Sequence, residues 1–374
     1  MKTRQTIARN LAPNRTSKTR KNSLQLAPLN PPLTTVICLN DSAHNAITAR
    51  TKLGAAVQNV LIIVPCTDRK RQDPAPNVTA RSLPEANAAT LAKTWVEQVT
   101  NQVDRVAARD LYCGRAFKEA LDAAGCLNAN LKVISAGLGI VDQHEEIPSY
   151  SVTVAPGYPD SILKRITIGE ASPSTWWCAL QSELPRARHF HDELNASGSN
   201  LILTALTEKY AEMIHSDLEK LDDEMISRLR VFGAGIAKHL PERLAPTVMP
   251  YDERLDGPQS PCPGTMSDFG QRALRHFAGL LHSGQVLGAD LAADRSDLER
   301  HMSGWLPRKI PVRAKLSDEE VINFIHASWE KTEGRSQATL RLLRDSGRAC
   351  EQGRFRDLFH KARAQRQLQG ATLL

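Results

Sequence analysis

The sequence has no apolar run approaching the roughly 18 residues that a membrane-spanning helix needs, so the chain reads as a soluble protein. Cysteine is sparse and unpatterned: the seven residues are Cys38, Cys66, Cys113, Cys126, Cys178, Cys262 and Cys350, with no Cys-x-x-Cys among them. An odd, scattered set argues against a disulfide framework and a thiolate zinc site, and it fits a reducing cytoplasm. The amino terminus is basic but lacks the apolar stretch of a secretory signal; only its acid-free, Arg- and Ser-containing composition is shared with organellar transit peptides. A phosphate-binding Gly-x-x-x-x-Gly-Lys-Ser/Thr loop and a Gly-x-Ser-x-Gly nucleophile elbow are both missing. The Gly-Ala-Gly at 233 to 235 is too short for a dinucleotide fingerprint, and His189 and His191 have no further ligands at zinc spacing. The expectation is therefore chemistry with no metal and no redox cofactor.

What the chain does have is length and an uneven charge. Its 374 residues, 41% hydrophobic and 24% charged, are material for two or three globular domains. The formal charge of +7 hides an asymmetry, because residues 1 to 40 carry seven Lys/Arg and no acid, and residues 332 to 374 carry nine Lys/Arg against four acids. The middle is net acidic. Basic ends point to an anionic polymer as partner, since clustered Lys and Arg gain affinity by releasing counterions from phosphates. A solvated tail and a charged helix face account for the same charges.

Residues 1 to 32 read as a disordered basic arm. Short β-branched runs at 59 to 65, 131 to 135, 200 to 206 and 229 to 233, with a less secure one at 245 to 250, read as strands buried on both faces. Helical periodicity fills 85 to 109, 114 to 124, 207 to 227 and 265 to 282, the last capped by Thr265 or Ser267. Alternating buried strands and helices predict an α/β domain over 33 to 282 with a mainly parallel sheet. The irregular 150 to 200 stretch, with Trp176 and Trp177, reads as an insertion or lid, and 283 to 315 as a linker. Residues 316 to 374 then read as three compact helices. Ser317 and Glu320 form a capping box, Ser336 caps the second helix, and a Ser-Gly turn precedes the third, a helix-turn-helix-like plan for holding DNA.

In open α/β sheets ligands bind beyond the carboxyl ends of the strands, which selects the candidate residues. After the first strand, Thr67 and Asp68 face the ligand while Lys70 and Arg71 meet phosphate. After the second, Ser135, Ala136, Gly137 and Gly139 let backbone amides approach a ligand closely. There Asp142, Glu145 and Glu146 crowd with His144, carboxylates suited to activating water or stabilising a cation, although single loop acids are commonly solvated. Asp252 ends another strand, and Trp176 and Trp177 offer stacking faces or core packing. Arg335, Arg341, Arg344, Arg348, Arg354, Arg356 and Lys361 are the candidate DNA contacts of the helical tail, together with Arg363 and Arg366; a protein-docking bundle would show the same pattern.

Three segments, "LIIVPCTDRKR", "ARDLYCGRAFKEAL" and "VISAGLGIVDQHEEIPSYSVTV", resemble the family of bacterial domains related to the peroxide-stress protein YaaA and to the accessory domain of archaeosine-forming enzymes. The matching residues are Cys66, Lys70 and Arg71, then Leu111, Tyr112, Gly114 and Phe117, then Ser135, Ala136, Gly139, Ile140 and Tyr150, covering about 58 to 155 and less clearly to 282. The family's Pro-Tyr-Asp is Pro148-Ser149-Tyr150-Ser151 here, so its acid is absent and Glu145 or Glu146 is expected in its place. The resemblance implies a Rossmann-like, uracil-DNA-glycosylase-like fold with the active site at strand ends, and with its basic tail the chain is similar to DNA glycosylases of anti-phage defence that remove glucosylated hydroxymethylcytosine. The expectation is a cytoplasmic glycosylase acting on double-stranded DNA, with Glu146, Glu145, Asp142 or Asp68 as the catalytic carboxylate. Tyr150 and Tyr112 stack on the flipped base. The rival expectations are a non-catalytic DNA-binding or damage-sensing module and a tRNA base-exchange enzyme.

Overall fold

A computed structural model describes residues 59 to 309 and 313 to 371; the basic arm and residues 33 to 58 of the expected α/β domain lie outside the described residues. Five strands form the central sheet: β1 (Val60–Pro65), β2 (Asn130–Ser135), β3 (Gly139–Asp142), β4 (Leu201–Ala205) and β5 (Leu229–Phe232). Their order is β3-β2-β1-β4-β5, and all neighbours are parallel except β3, which turns back against β2. Every residue of β1, β4 and β5 is buried, which explains the unbroken apolar run of β1 and the mostly apolar β4, since a strand with helices over both faces has no side to present to water.

The helices that cover it are α1 (Ala88–Thr100), α2 (Arg115–Leu127), α3 (Pro173–Glu183), α4 (Phe190–Ser197), α5 (Phe269–His282) and α6 (Leu291–His301). Helix α2 packs on α5, and α1 on α3. Asn87 caps α1 by accepting from the Thr90 amide at 2.9 Å. Helix α2 follows Gly114, whose φ of +99° is in the region that favours glycine.

Several expectations shift. The helical pattern over 85 to 109 resolves into α1 and an extended Arg105–Ala107, which pairs antiparallel with Glu146–Pro148. The 207 to 227 pattern breaks into Glu208–Met213, His215–Glu219 and Asp223–Arg228; Asp222 starts the last by accepting from the Met225 amide at 2.8 Å, and a residue that caps a new helix does not continue an old one. Residues 245 to 250 are no ladder strand: Pro246 sits in a 3-10 turn over Glu242–Thr247, and Val248 alone bridges to Val231.

Within the 150 to 200 stretch the paired tryptophans are core. Trp176 and Trp177 are fully buried, and their indoles donate to the Ala136 carbonyl (2.8 Å) and to Asp217 (3.1 Å). The expected linker likewise carries α6, whose Asp294 meets Arg230 of β5 at 2.8 Å with both side chains out of water, while Leu298 and Met302 join the main core. No helix among the described residues is long and apolar enough to cross a membrane.

The carboxyl-terminal residues form α7 (Asp318–Ser328), α8 (Ser336–Asp345) and α9 (Gln352–Ala371) around a second core that includes Val321, Ile325, Leu340, Leu343, Phe355 and Phe359. The Ser317–Glu320 capping box is present. Ser336 is not a cap: Arg335 precedes the helix and no side chain closes its end. Between α8 and α9 the chain makes a short parallel bridge, Arg348–Ala349 against Ala314–Lys315, so the connection is longer than the three- to four-residue turn of a compact helix-turn-helix.

Candidate active site

The strand order reverses between β1 and β4, and at such a switch point the connections leave in opposite directions and open a crevice at the carboxyl edge. The crevice is bridged at that point. Cys66, one residue past β1, stands 2.9 Å from the hydroxyl of Tyr210, which lies on the short helix after β4. The loop after β1 is tied to the residues before α2 by the Lys70–Tyr112 bridge, by Arg71 N to Leu111 O (2.9 Å) and by Cys113 N to Arg69 O (3.1 Å). Thr67 adds to that tie, its hydroxyl lying 2.9 Å from the carbonyls of both Arg69 and Cys113.

Beneath this loop runs a buried chain of hydroxyls. Ser135 Oγ accepts from the amides of Gly137 (3.1 Å) and Leu138 (3.0 Å) and meets Tyr150 Oη at 2.6 Å; Tyr150 Oη meets Tyr112 Oη at 2.7 Å. A hydroxyl oxygen has two lone pairs, so with both taken by amides Ser135 donates its own proton to Tyr150, whose hydroxyl shares a hydrogen bond with that of Tyr112. Burial, reinforced by the charge of Cys66, pushes both tyrosines above the ordinary phenol value, so they stay protonated donors; the same causes raise Tyr210. The rings are locked as well, Tyr150 edge-on to Trp95 and Tyr112 edge-on to Phe117. A Cβ on Gly137 would come within 2.7 Å of Val152 and 3.0 Å of Trp95, so only glycine lets the loop after β2 lie this close.

Lys70 covers this chain. Its amine lies 4.2 Å above the centre of the Tyr150 ring and 5.7 Å from that of Tyr112, with the Thr67 carbonyl at 3.4 Å. Burial lowers its pKa from the usual lysine value, opposed by the charges of Cys66, Asp68, Cys113 and Asp160.

The expected site residues separate into two groups. Thr67, Asp68, Lys70, Tyr112, Ser135 and Tyr150 converge at the switch point. Asp68 is exposed, and its charge acts on Lys70 and Tyr210. Arg71 is exposed, but its guanidinium donates to the Asp110 carbonyl at 2.8 Å. Asp142, Glu145 and Glu146 do not join them, because β3 reverses the chain: Asp142 stands opposite Lys132, three positions down from Ser135. At about 3.3 Å per residue that is roughly 10 Å from the carboxyl edge. There Asp142 accepts from the His144 amide at 2.9 Å, as a turn residue does. Glu145 is ion-paired with Arg188; its charge adds only the weakest of the influences on Tyr112. Glu146 is exposed on the outer ladder and His144 is exposed too.

Other expected roles need correcting. Tyr112 and Tyr150 are 0% and 1% exposed and offer no face for a base to stack on. Lys70 is set among rings rather than on an open phosphate-gripping surface. The Gly137 amide is already taken by Ser135, and Gly139, the first residue of β3, is kept by its φ of +74°. Asp252 pairs with Arg254 at 2.8 Å and lines a separate cavity of about 710 Å³ with Tyr251 and Phe269.

Two residues at the candidate site escaped the sequence reading. Asp160 is buried beside the site, held by Arg81 through two side-chain bonds and by the Ser151 hydroxyl at 2.8 Å; the Arg81 bond holds its carboxyl below the usual range. Its Gly-Tyr-Pro-Asp setting looks like an ordinary turn, so no local signal marks it. Tyr210 was marked only by lying on the segment after β4.

Among the described residues one group has potential metal-ligating atoms close together, Glu208, Glu212 and His239, all within 4.8 Å. Lys209 donates to both oxygens of Glu212 (2.8 and 3.1 Å) and stands 3.5 Å from Glu208, so this acidity is already matched by an ammonium group.

On the carboxyl-terminal helices the arginines also divide. Arg335, Arg341 and Arg344 line a cleft of about 1100 Å³ with Arg313 and Lys331, five cations with Asp345 as the acid in the lining, and Arg335 also stands 3.4 Å from Glu333. Arg354 is instead a strut to Asp318 (2.6 Å), Arg348 lies over the Phe324 ring, Arg356 faces Asp357 at 3.6 Å, and Arg366 is bound to Glu330 at 2.7 Å. Lys361 is exposed on α9, as is Arg363.

No family model, no curated protein and no solved structure matches this chain. The fold and the site define a protein with an α/β domain, a mostly parallel central sheet and a cluster of polar groups at its switch point.

Proposed function

We propose that the chain hydrolyses N-glycosidic bonds in DNA, with the switch-point crevice receiving a flipped, modified nucleotide and the cationic cleft of the tail gripping the duplex. One observation carries the reading. Cys66 with Lys70, Tyr112, and Ser135 with Tyr150 come from three separate stretches of sequence, yet they meet at the one place where an open α/β sheet binds ligands.

Flipping a base costs a few kcal/mol, which phosphate contacts along the duplex offset. As the base leaves, positive charge builds on the sugar, and an anion held nearby stabilises it. Of the four expected carboxylates, Asp68 is the one whose charge acts on Lys70 and Tyr210, so that role goes to Asp68. Lys70 and Tyr210 line the crevice as donors for the departing base, and the buried Tyr112–Tyr150–Ser135 chain fixes the floor beneath them. Glucosylated hydroxymethylcytosine is the substrate proposed, in keeping with an anti-phage role.

The test is incubation of the full chain with unmodified, hydroxymethylated and glucosylated DNA, scoring free base by mass spectrometry and abasic sites by alkaline cleavage. Release from the modified DNA supports the proposal. Tight binding without release from any of the three overturns it in favour of a binding or sensing module.

A further inference from the structure

We propose that Lys70 is an imine-forming residue, its amine adding to the C1′ aldehyde of an opened abasic deoxyribose. The inference rests on the reading of the crevice as a nucleotide site and extends it to a second, covalent step on the product of base release.

Lys70 is set apart from the other lysines of the α/β domain that have a partner. Lys118 pairs with Asp122 at 2.6 Å, Lys132 with Glu193, and Lys209 with Glu212 at 2.8 Å. Among the described residues no carboxylate forms an ion pair with Lys70. Its closest hydrogen-bond acceptor is the Thr67 carbonyl at 3.4 Å, and it lies over two aromatic faces that cannot take its proton. Its backbone is pinned on both sides by the pairing of 69 to 71 with 111 to 113, so the amine is directed rather than swept over the surface. Half-buried at a strand end, it combines partial desolvation with access. Burial lowers the pKa of its ammonium and so raises the share of neutral amine, the one form with a free electron pair to attack a carbonyl.

The chemistry closes without an oxidant or a reductant. The neutral amine adds to the aldehyde carbon, forming a C–N bond, and the carbonyl oxygen becomes a hydroxyl with a proton from the amine. That hydroxyl leaves as water with a second proton, giving the C=N bond. Loss of a C2′ hydrogen as a proton to solvent then expels the 3′ phosphate, and water hydrolyses the imine to free Lys70 and an unsaturated aldehyde.

The experiment uses the full chain and a synthetic duplex in which one abasic site has been made beforehand, with sodium borohydride present to reduce any imine to a stable secondary amine. The expected result is a covalent protein–DNA adduct that peptide mapping places on Lys70. In Lys70→Arg, which keeps a cation over the rings, the adduct falls to background while the thermal transition is retained. No adduct with the wild type, an adduct on another lysine, or an undiminished adduct in Lys70→Arg overturns the inference. Because the abasic site is preformed, adduct formation does not depend on base release. A protein that frees base but forms no adduct refutes only the imine, and one that forms the adduct but frees no base refutes only the glycosylase reading.

Discussion

The loop after β1 and the turn after β3 invite opposite readings in sequence and play opposite parts in the fold. The turn holds Asp142, His144, Glu145 and Glu146 within five residues, and each acid has a mundane employment or a place in solvent: a turn bond, an Arg188 partner, an exposed ladder position. The loop after β1 holds two acids, Asp68 and Asp73, and it is this loop that meets Tyr210, Tyr112 and the Ser135–Tyr150 pair. Density of ionisable residues along the chain is a poor guide to a site. Direction is a better one, because a parallel strand delivers its following loop to the carboxyl edge and an antiparallel one carries it away.

The largest effect expected from this contrast is catalytic. Asp68→Asn lowers base release by about 10²- to 10³-fold in single-turnover assays, the range typical for loss of a group that stabilises transition-state charge. DNA binding by the same variant, followed by fluorescence anisotropy, stays near wild type.

Stability sharpens the comparison next. Ser135→Ala strips the acceptor from the buried amides of Gly137 and Leu138 and costs about 1–3 kcal/mol in urea unfolding. Asp142→Ala, which removes one exposed turn bond, changes the same midpoint by no more than about 1 kcal/mol.

Acid titration separates the buried acid from the surface ones. Asp160 has its carboxyl pKa lowered in the folded state, first by its bond from Arg81, so its stabilisation is in place above the usual carboxylate value and is lost as pH falls through the folded value. Asp160→Asn therefore lowers the melting temperature at neutral pH, and the gap to wild type closes as the solution is acidified below the usual carboxylate range. A constant gap across pH contradicts the assignment.

The smallest expected effect lies in the tail. Arg341→Ala, from the cationic cleft, weakens duplex binding several-fold and reduces the slope of log affinity against log salt by about 1, while Arg354→Ala, whose charge is matched by Asp318, leaves that slope unchanged.

The fold was legible where composition and period agreed. The four apolar runs are strands because Val, Ile and Leu bounded by polar turns leave few alternatives, and the Ser317–Glu320 box marked α7 because its two side chains satisfy each other's backbone. Legibility failed where a long-range partner decided the outcome. Nothing local shows that Ile140 pairs back with Ile134 rather than leading into a helix, and that hairpin alone moves Asp142 away from the crevice. The 150 to 200 stretch lacked a clean period because Trp176 and Trp177 are adjacent and both wholly buried, one bonded to the loop after β2 and the other to Asp217, so the helix between them is covered on more than one side. Of the site, the loop after β1 and the Ser135 segment were found from strand ends, whereas the roles of Tyr112 and Tyr150 changed from stacking faces to buried donors, a matter of packing that sequence does not carry.

The most direct test of where the chemistry lies is a time course of free-base release from glucosylated DNA by the wild type and by the triple variant Asp142→Asn/Glu145→Gln/Glu146→Gln. Placing the chemistry in the loop after β1 predicts that the triple variant, folded by its thermal transition, releases base at a rate within a few-fold of wild type. Loss of release in that variant, with the fold intact, would return catalysis to the turn after β3 and contradict the account.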